Sequence, residues 1–533
     1  MSIFERNLIR KVYIDDTYNY IAVIISSETT QGHTEYVIKV KRDLLSERQW
    51  LVHRRYNDFL SLHHSLLVAN INLPLPPKKI IGNMNRNFIA ERQTALQNYL
   101  DLILSHQLLS AQLVVKKFLD PQNYSNFKEL GLNAITIGLR GENDIKILKM
   151  LPQIGSRFRK EHYLVKLNDC KQEMLLTWVP IGPDSPHDQK QINTLLKVLA
   201  SIQHVNIASV LRSGVCNDGV WMIREIRKSG SILDTICGTT KSPWTELGLK
   251  KYSNYECRKP LPLQTIINIV SQILQALAFL HHKGIPFGHL HTGNIVYEDG
   301  LVKLLDVENG IIGIPHYYRM ALLKIKQITS IQLLDVYCLG LSIFEMATGI
   351  PFLNQKEDFN NVPEQLRPIL KSVLCVKTTR TALPTIADLL NYDIFRYMNR
   401  NPQPHIKMTV SARENFNISA ENIIERLKKD YSKYRQEKRV MKVYKCFDEN
   451  DGQILVYYTK KTKISKDDMN DHDRSESPCS INSNSNTTIS TQSVPTPTTT
   501  SKINNDQTND RQALLGAICN FNKDSLKKVN KQE

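Results

Sequence analysis

Three apolar-rich runs, "YIAVIIS", "TEYVIKVKR" and "RQWLVHRRY", lie within residues 20–56. In the second and third, apolar and polar positions alternate, the period of a half-buried strand, so the segment predicts three strands. The period then changes: helical spacing runs from about residue 58 to 68 and again from 88 to 104, and a third helix around 110–119 stops at "DPQN". Between the first two helices lies "LPLPPKKIIGNMNR", too rich in proline for either element.

From about residue 140 to 398 the pattern begins with short strands such as "HYLVKL" and "MLLTWV" and passes into apolar helices such as "LQTIINIVSQILQALAFLHHKG". Strands first and helices afterwards indicate an α+β domain. Within it, "NIVY", a turn "EDG" and "LVKLLD" read as strand, turn and strand. A charged helix follows over 410–440, with Ile423, Ile424 and Leu427 at helical spacing. Residues 462–509 are dominated by Ser, Thr, Asn and Asp and predict a disordered linker, beyond which an apolar pattern returns in "RQALLGAICNF".

A chain of 533 residues is too long for one core, so two or three domains are expected. No run of 18 apolar residues occurs and the start "MSIFERNLIRKVYIDD" lacks a signal-peptide core, which places the expected protein in the cytosol. Nine scattered cysteines without a C-x-x-C pair argue against zinc and against a disulfide framework. The net charge of +17 asks for an acidic partner; no nucleic-acid-binding motif is present, so an anionic membrane is favoured.

The strand order, the "RRY" before the first helix, the proline loop with lysines and the arginine of "FIAERQ" resemble a PX domain over residues 9–121. The resemblance implies that Arg55 clamps the 3-phosphate of an inositol lipid, that Tyr56 stacks beneath the ring, that Lys78 or Lys79 meets the 1-phosphate, and that Arg92 takes the remaining ring groups. These residue types suit phosphate recognition, because guanidinium forks bind phosphate bidentately and lysine serves as a flexible point charge. Ile80, Ile81 and Met84, beside the lysines, suit a loop that dips apolar side chains between lipid headgroups.

In "FGHLHTGNIVYEDGLVKLLDVENG" the spacing resembles a protein-kinase catalytic loop followed by the metal-binding motif. Asp306 takes the place of the D-F-G aspartate, with Val307 and Glu308 for the Phe and Gly; Asn294 takes that of the second magnesium ligand. His289 stands where a kinase keeps its catalytic aspartate, and His291 replaces the lysine of the loop. "DVYCLGLSIFEMATGIPF", starting at Asp335, resembles the helix that anchors the large lobe, and the resemblance to a bilobal kinase fold spans 141–398. The segment "IGSRFRKEH" has one glycine, Gly155, followed by bulky Arg157 and Arg159. By alignment Trp178 falls on the third-strand lysine and Leu195 near its glutamate partner, with the tryptophan ring free to fill adenine or phosphate space. Phosphoryl transfer needs those groups together. The expectation is therefore a pseudokinase with no catalytic residues and no cofactor, His289 and Trp178 being degenerate positions and Asn294 and Asp306 vestigial nucleotide or metal ligands. An unorthodox serine/threonine kinase and a nucleotide-sensing switch without turnover stay open as alternatives.

The segment 511–530, "RQALLGAICNFNKDSLKKVN", puts Leu514, Leu515 and Ile518 on one helical face ahead of Leu526, Lys527, Lys528 and Val529. It resembles a WH2 motif, which implies binding to monomeric actin. The three modules in this order resemble the PX domain-containing serine/threonine kinase-like proteins. That resemblance implies a peripheral scaffold on endosomal and plasma membranes that takes part in receptor trafficking and modulates membrane ATPases such as the sodium pump.

Overall fold

The computed structural model describes residues 14–17, 20–30, 33–42, 48–78, 85–216, 219–241, 243–352, 359–375, 382–395, 406 and 408–447. Lys79, Ile80, Ile81, Met84, the linker 462–509 and the tail 511–530, with Leu514, Leu515, Ile518, Leu526, Lys527, Lys528 and Val529, lie outside the described residues. The chain divides into two units, Met1–Lys433 and Tyr434–Glu533, and both the small sheet and the kinase-like fold belong to the first.

The alternating runs form β1 (Ile21–Thr30), β2 (His33–Lys41) and β3 (Gln49–Arg55), an antiparallel sheet in that order with an irregularity between Ile24 and Ser26. α1 (Tyr56–Leu66) starts directly on β3, and α2 (Arg86–Ser105) returns across β1 after the proline loop. α3 (Leu113–Leu119) closes the module and α4 (Phe127–Gly138) leads out of it. Because neighbouring strand residues point to opposite faces, the paired arginines part company. Arg54 turns inward, lying 5.1 Å over the Phe118 ring and donating from Nε and Nη2 to the Phe118 carbonyl at 2.9 and 2.7 Å. Arg55 turns outward.

The second domain opens with a five-stranded antiparallel sheet built from β4 (Ile145–Met150), β5 (Glu161–Leu167), β6 (Glu173–Pro180), β7 (Arg212–Cys216) and β8 (Gly219–Glu225), in the order β4-β5-β6-β8-β7. α5 (Gln189–Ala200), capped by Asp188, packs beside it. The larger lobe is helical. α6 (Leu263–Lys283) and α7 (Ile331–Thr348) have the length and hydropathy of membrane spans, yet both are central helices of its core, and the hairpin β9 (Ile295–Glu298)–β10 (Leu301–Leu304) carries the loops of interest. α8 (Val410–Phe447) follows, with Ala412, Phe416 and Ile424 seated in the large-lobe core.

One apolar cluster runs from the first module into the small lobe. It joins Tyr20, Phe59 and Phe118 to Tyr163, Leu176 and Trp221 by way of Tyr124, Phe127 and Phe158. Trp178 belongs to this cluster: its ring lies 6.3 Å from that of Phe127, and a side chain at Gly219 would collide with the indole. The position aligned with the third-strand lysine is thereby corrected. Trp178 faces away from the cleft and fills no nucleotide space; Thr177, one residue earlier and on the opposite face of β6, lines the cleft instead.

Candidate functional site

The first site forms where β3, α1, the proline loop and α2 converge. Arg92 on α2 is buried, its guanidinium held between the rings of Tyr56 at 4.5 Å and Phe88 at 4.2 Å. Its Nη2 donates to the Pro77 carbonyl at 3.3 Å, and its Nε has no partner among the described residues. The Tyr56 hydroxyl donates to the Pro76 carbonyl at 2.5 Å, which ties the proline loop to the same ring. Arg55 stands at the rim, its Nε 3.2 Å from Glu35 Oε1 on the directly opposed residue of β2. Lys78 is exposed at the end of the loop. Arg92, Tyr56 and the proline loop that ends at Lys78 are therefore held together, with Arg55 next to Tyr56 at the rim.

The second site is the cleft between the lobes, a cavity of about 150 Å³ whose lining includes Ile154, Leu175 and Val296 as apolar walls and Lys160, Arg224 and Asp306 as charges. Asp306 adopts a left-handed backbone (φ 65°), rare for a residue with a side chain. Its Oδ1 lies 2.7 Å from Lys160 Nζ. Burial alone would raise the Asp306 pKa; Lys160 and then Arg224 outweigh it and hold the carboxyl below its ordinary range. Glu308, where a kinase keeps glycine, is fully buried and accepts from Arg224 Nη2 of β8 at 2.7 Å. Leu195, near the position of the partner glutamate, is fully buried in the large apolar cluster.

The catalytic-loop equivalents are committed to structure. Gly288, at φ 65°, donates its N–H to Asp335 Oδ1 at 2.8 Å, and Asp335 Oδ2 meets His281 Nε2 at 2.8 Å, so α7 pins the loop. Asn294 spends both ends of its amide on the loop: Nδ2 donates to the His289 carbonyl at 2.6 Å and Oδ1 accepts from the His291 N–H at 3.0 Å. His289 is stacked on His316 at 5.2 Å, and burial followed by the neighbouring His316 pushes its pKa well below the ordinary 6.5. His289 borders a separate small cavity with His316, Arg319 and Asp430 rather than the main cleft. An imidazole so hard to protonate is a weak general base. Nucleotide with magnesium, the group a kinase fold implies, meets a divided set of residues: Lys160 and Asp306 suit a phosphate and one cation, whereas Asn294, fully buried with its Oδ1 accepting from the His291 N–H, does not line the cavity, and neither does His289.

Sequence reasoning missed the groups that close the front of the cleft. Asp16, ahead of β1, accepts from Arg157 Nε at 2.6 Å and Nη2 at 2.5 Å, and from Arg159 Nη1 at 3.3 Å. Asp15 beside it accepts from Arg319 Nη1 at 2.8 Å, and Arg319 forms a second, bidentate pair with Asp430 of α8 at 2.8 Å. The arginines that break the glycine loop are thus ligands for an acidic segment of the first module. The adjacent acids "DD" were the available signal.

A small three-stranded module carrying Arg55 and Arg92 beside a proline loop, joined through a shared core to two kinase-like lobes, defines a PX domain fused to a kinase-like domain. A PX domain family model matches residues 43–122, and a protein kinase domain model matches 163–435. The chain is 36% identical over 454 residues to the PX domain-containing protein kinase-like protein of Rattus norvegicus, covering 83% of this chain and 76% of that protein. It belongs to the PX domain-containing protein kinase-like family. It is also similar to the Slowpoke-binding protein of Drosophila melanogaster (28% over 294 residues; 50% of this chain, 56% of the relative). A third relative is the probable inactive serine/threonine-protein kinase slob1 of Dictyostelium discoideum (26% over 282 residues; 47% of each).

Proposed function

We propose that this protein is a membrane-tethered adaptor: its PX domain reads a 3-phosphorylated inositol lipid on endosomal or plasma membranes, and its kinase-like domain docks protein partners without useful phosphoryl transfer. The observation that carries the reading is the Arg92 guanidinium held between Tyr56 and Phe88 beside the rim residue Arg55. A guanidinium at the rim and a second buried on α2 suit a ligand with several phosphates, and the net charge of +17 suits an anionic bilayer. Lys78 or Lys79 would meet the 1-phosphate, with Ile80, Ile81 and Met84 entering the headgroup layer. Relatives named kinase-like and probable inactive kinase support the loss of turnover. The Drosophila relative is named for binding another protein, Slowpoke, which supports a protein partner for the kinase-like domain here; the sodium pump is the partner that the family resemblance implies. The spacing of Leu514, Leu515 and Ile518 ahead of Leu526, Lys527, Lys528 and Val529 supports a link from the tail to monomeric actin.

Co-sedimentation of the full chain with vesicles tests this. Vesicles carrying a 3-phosphorylated inositol lipid should bind it, and Arg55→Ala should lower the affinity at least about tenfold, since one charge-assisted bond contributes roughly 1.5–3 kcal/mol. Equal pelleting of Arg55→Ala and wild type would remove the pocket assignment.

A further inference from the structure

The third strand of the small lobe offers Thr177 to the cleft, yet the cleft does not lack a lysine. Lys160, between Arg159 and the first residue of β5, reaches in and sets its ammonium 2.7 Å from Asp306 Oδ1. Its side chain is 15% exposed, so the charge is held in the cavity rather than in bulk water. The rest of the cavity supplies what a flat, anionic ligand needs. Leu175 on β6 and Val296 on β9 form apolar walls from the two lobes, and Arg224, buried with its Nε unpartnered among the described residues, also lines it.

We propose that Lys160 is the phosphate-anchoring lysine of this cleft, and that the cleft binds a nucleoside polyphosphate with its base between Leu175 and Val296 and its phosphates at Lys160. Asp306 serves to orient the ammonium, a role its 2.7 Å contact already fills. The other cations lining the cavity are committed: Arg157 and Arg159 to Asp16, Arg224 Nη2 to Glu308, Arg227 to Glu225 and Lys251 to Asp234. Lys160, directly before β5, has a single carboxylate partner among the described residues, and an ammonium has three donors to offer. Because Asn294 is spent on the loop backbone, the binding draws on charge from Lys160 more than on a pair of metal ions. Binding is therefore separate from turnover, and it does not rest on the adaptor reading; vesicle binding by the PX domain would survive its failure.

Titration of the full-length protein with ATP by calorimetry, in magnesium and again in EDTA, tests the proposal. Wild type is expected to bind ATP in at least one of the two conditions. Lys160→Met should weaken that binding at least about tenfold, the scale of one charge-assisted bond to phosphate, while Lys160→Arg restores most of it. Adenosine, which has no phosphate, should bind wild type and Lys160→Met alike or not at all. Thermal melts of the variants separate a lost contact from a lost fold, and Lys160→Arg keeps the test decisive if Lys160→Met melts early. No heat with ATP in either condition, or equal ATP affinity for wild type and a folded Lys160→Met, would overturn the assignment.

Discussion

Asp16 lies between Arg157 and Arg159, its carboxylate 2.5 Å from one guanidinium and 3.3 Å from the other. Asp16 and Arg159 are almost wholly shielded from solvent, so the carboxylate is the counter-charge that makes burial of the arginines tolerable. Asp16→Ala should destabilise the protein by about 3–5 kcal/mol, the cost of breaking a buried pair from one side. A thermal melt of the full chain reads this directly; an unchanged midpoint would mean that the loop arginines do not depend on the first module.

The pH dependence has a defined sign. Burial lowers the histidine pKa values, to about 4 for His162 and His204 and about 3 for His291, with His289 and His316 also well below the ordinary 6.5. Below pH 6.5 the unfolded chain takes up protons at these sites and the folded one does not, so stability falls as the pH drops from about 6.5 toward 4. Asp15 and Asp16, held below their ordinary 3.8 by arginines that outweigh burial, add a further loss only under more acid conditions. Asp184, Asp335 and Glu345, raised by burial, offset part of it as the pH falls. The unfolding midpoint should therefore be lower at pH 5.5 than at pH 7; a flat or rising midpoint would show that the histidines are not held neutral.

Trp178→Ala should cost about 3–5 kcal/mol, the usual loss for a large aromatic removed from a core. It packs the PX domain onto the small lobe through Phe127 and contributes nothing to the cleft. Stability should therefore fall with ATP affinity unchanged in the protein that remains folded. Loss of nucleotide binding with an unaltered melt would return Trp178 to the cleft.

For the tail, replacing Leu514 and Leu515 by serine in the full chain should nearly abolish binding to monomeric actin. Each buried aliphatic side chain contributes about 1.5–3 kcal/mol. Anisotropy of labelled actin on titration with wild type and variant decides it, and equal curves would leave the segment an amphipathic tail without this partner.

Much of the fold was legible because its signals are local. "TEYVIKVKR" and "RQWLVHRRY" alternate and became β2 and β3; "LQTIINIVSQILQALAFLHHK" is apolar at helical spacing and became α6. Arg55, Tyr56 and Arg92 were picked out because the motif of the family that the chain resembles fixes their spacing, and the structure sets Tyr56 against Arg92 with Arg55 alongside. Trp178 was misplaced because "MLLTWV" is apolar on nearly every residue, as a strand buried on both faces is, and a one-residue error there inverts the face. Lys160 and Asp16 were missed for a different reason. Their partners Asp306 and Arg157 stand over a hundred residues away, and no local pattern encodes a pairing made only when lobes and modules close.

The proposed adaptor role turns on a kinase fold that has given up phosphoryl transfer. His289 is buried and hard to protonate, Asn294 is engaged by its own loop, and Leu195 offers no carboxylate. Kinases reach about 1–100 turnovers per second only with all these groups in place, and general-base assistance alone is worth about 10²–10⁴-fold. The direct test is transfer of labelled phosphate from ATP by purified full-length protein, to itself and to a generic substrate, beside Asp306→Ala. No transfer above that of Asp306→Ala is expected; transfer by wild type that Asp306→Ala removes would contradict the adaptor role.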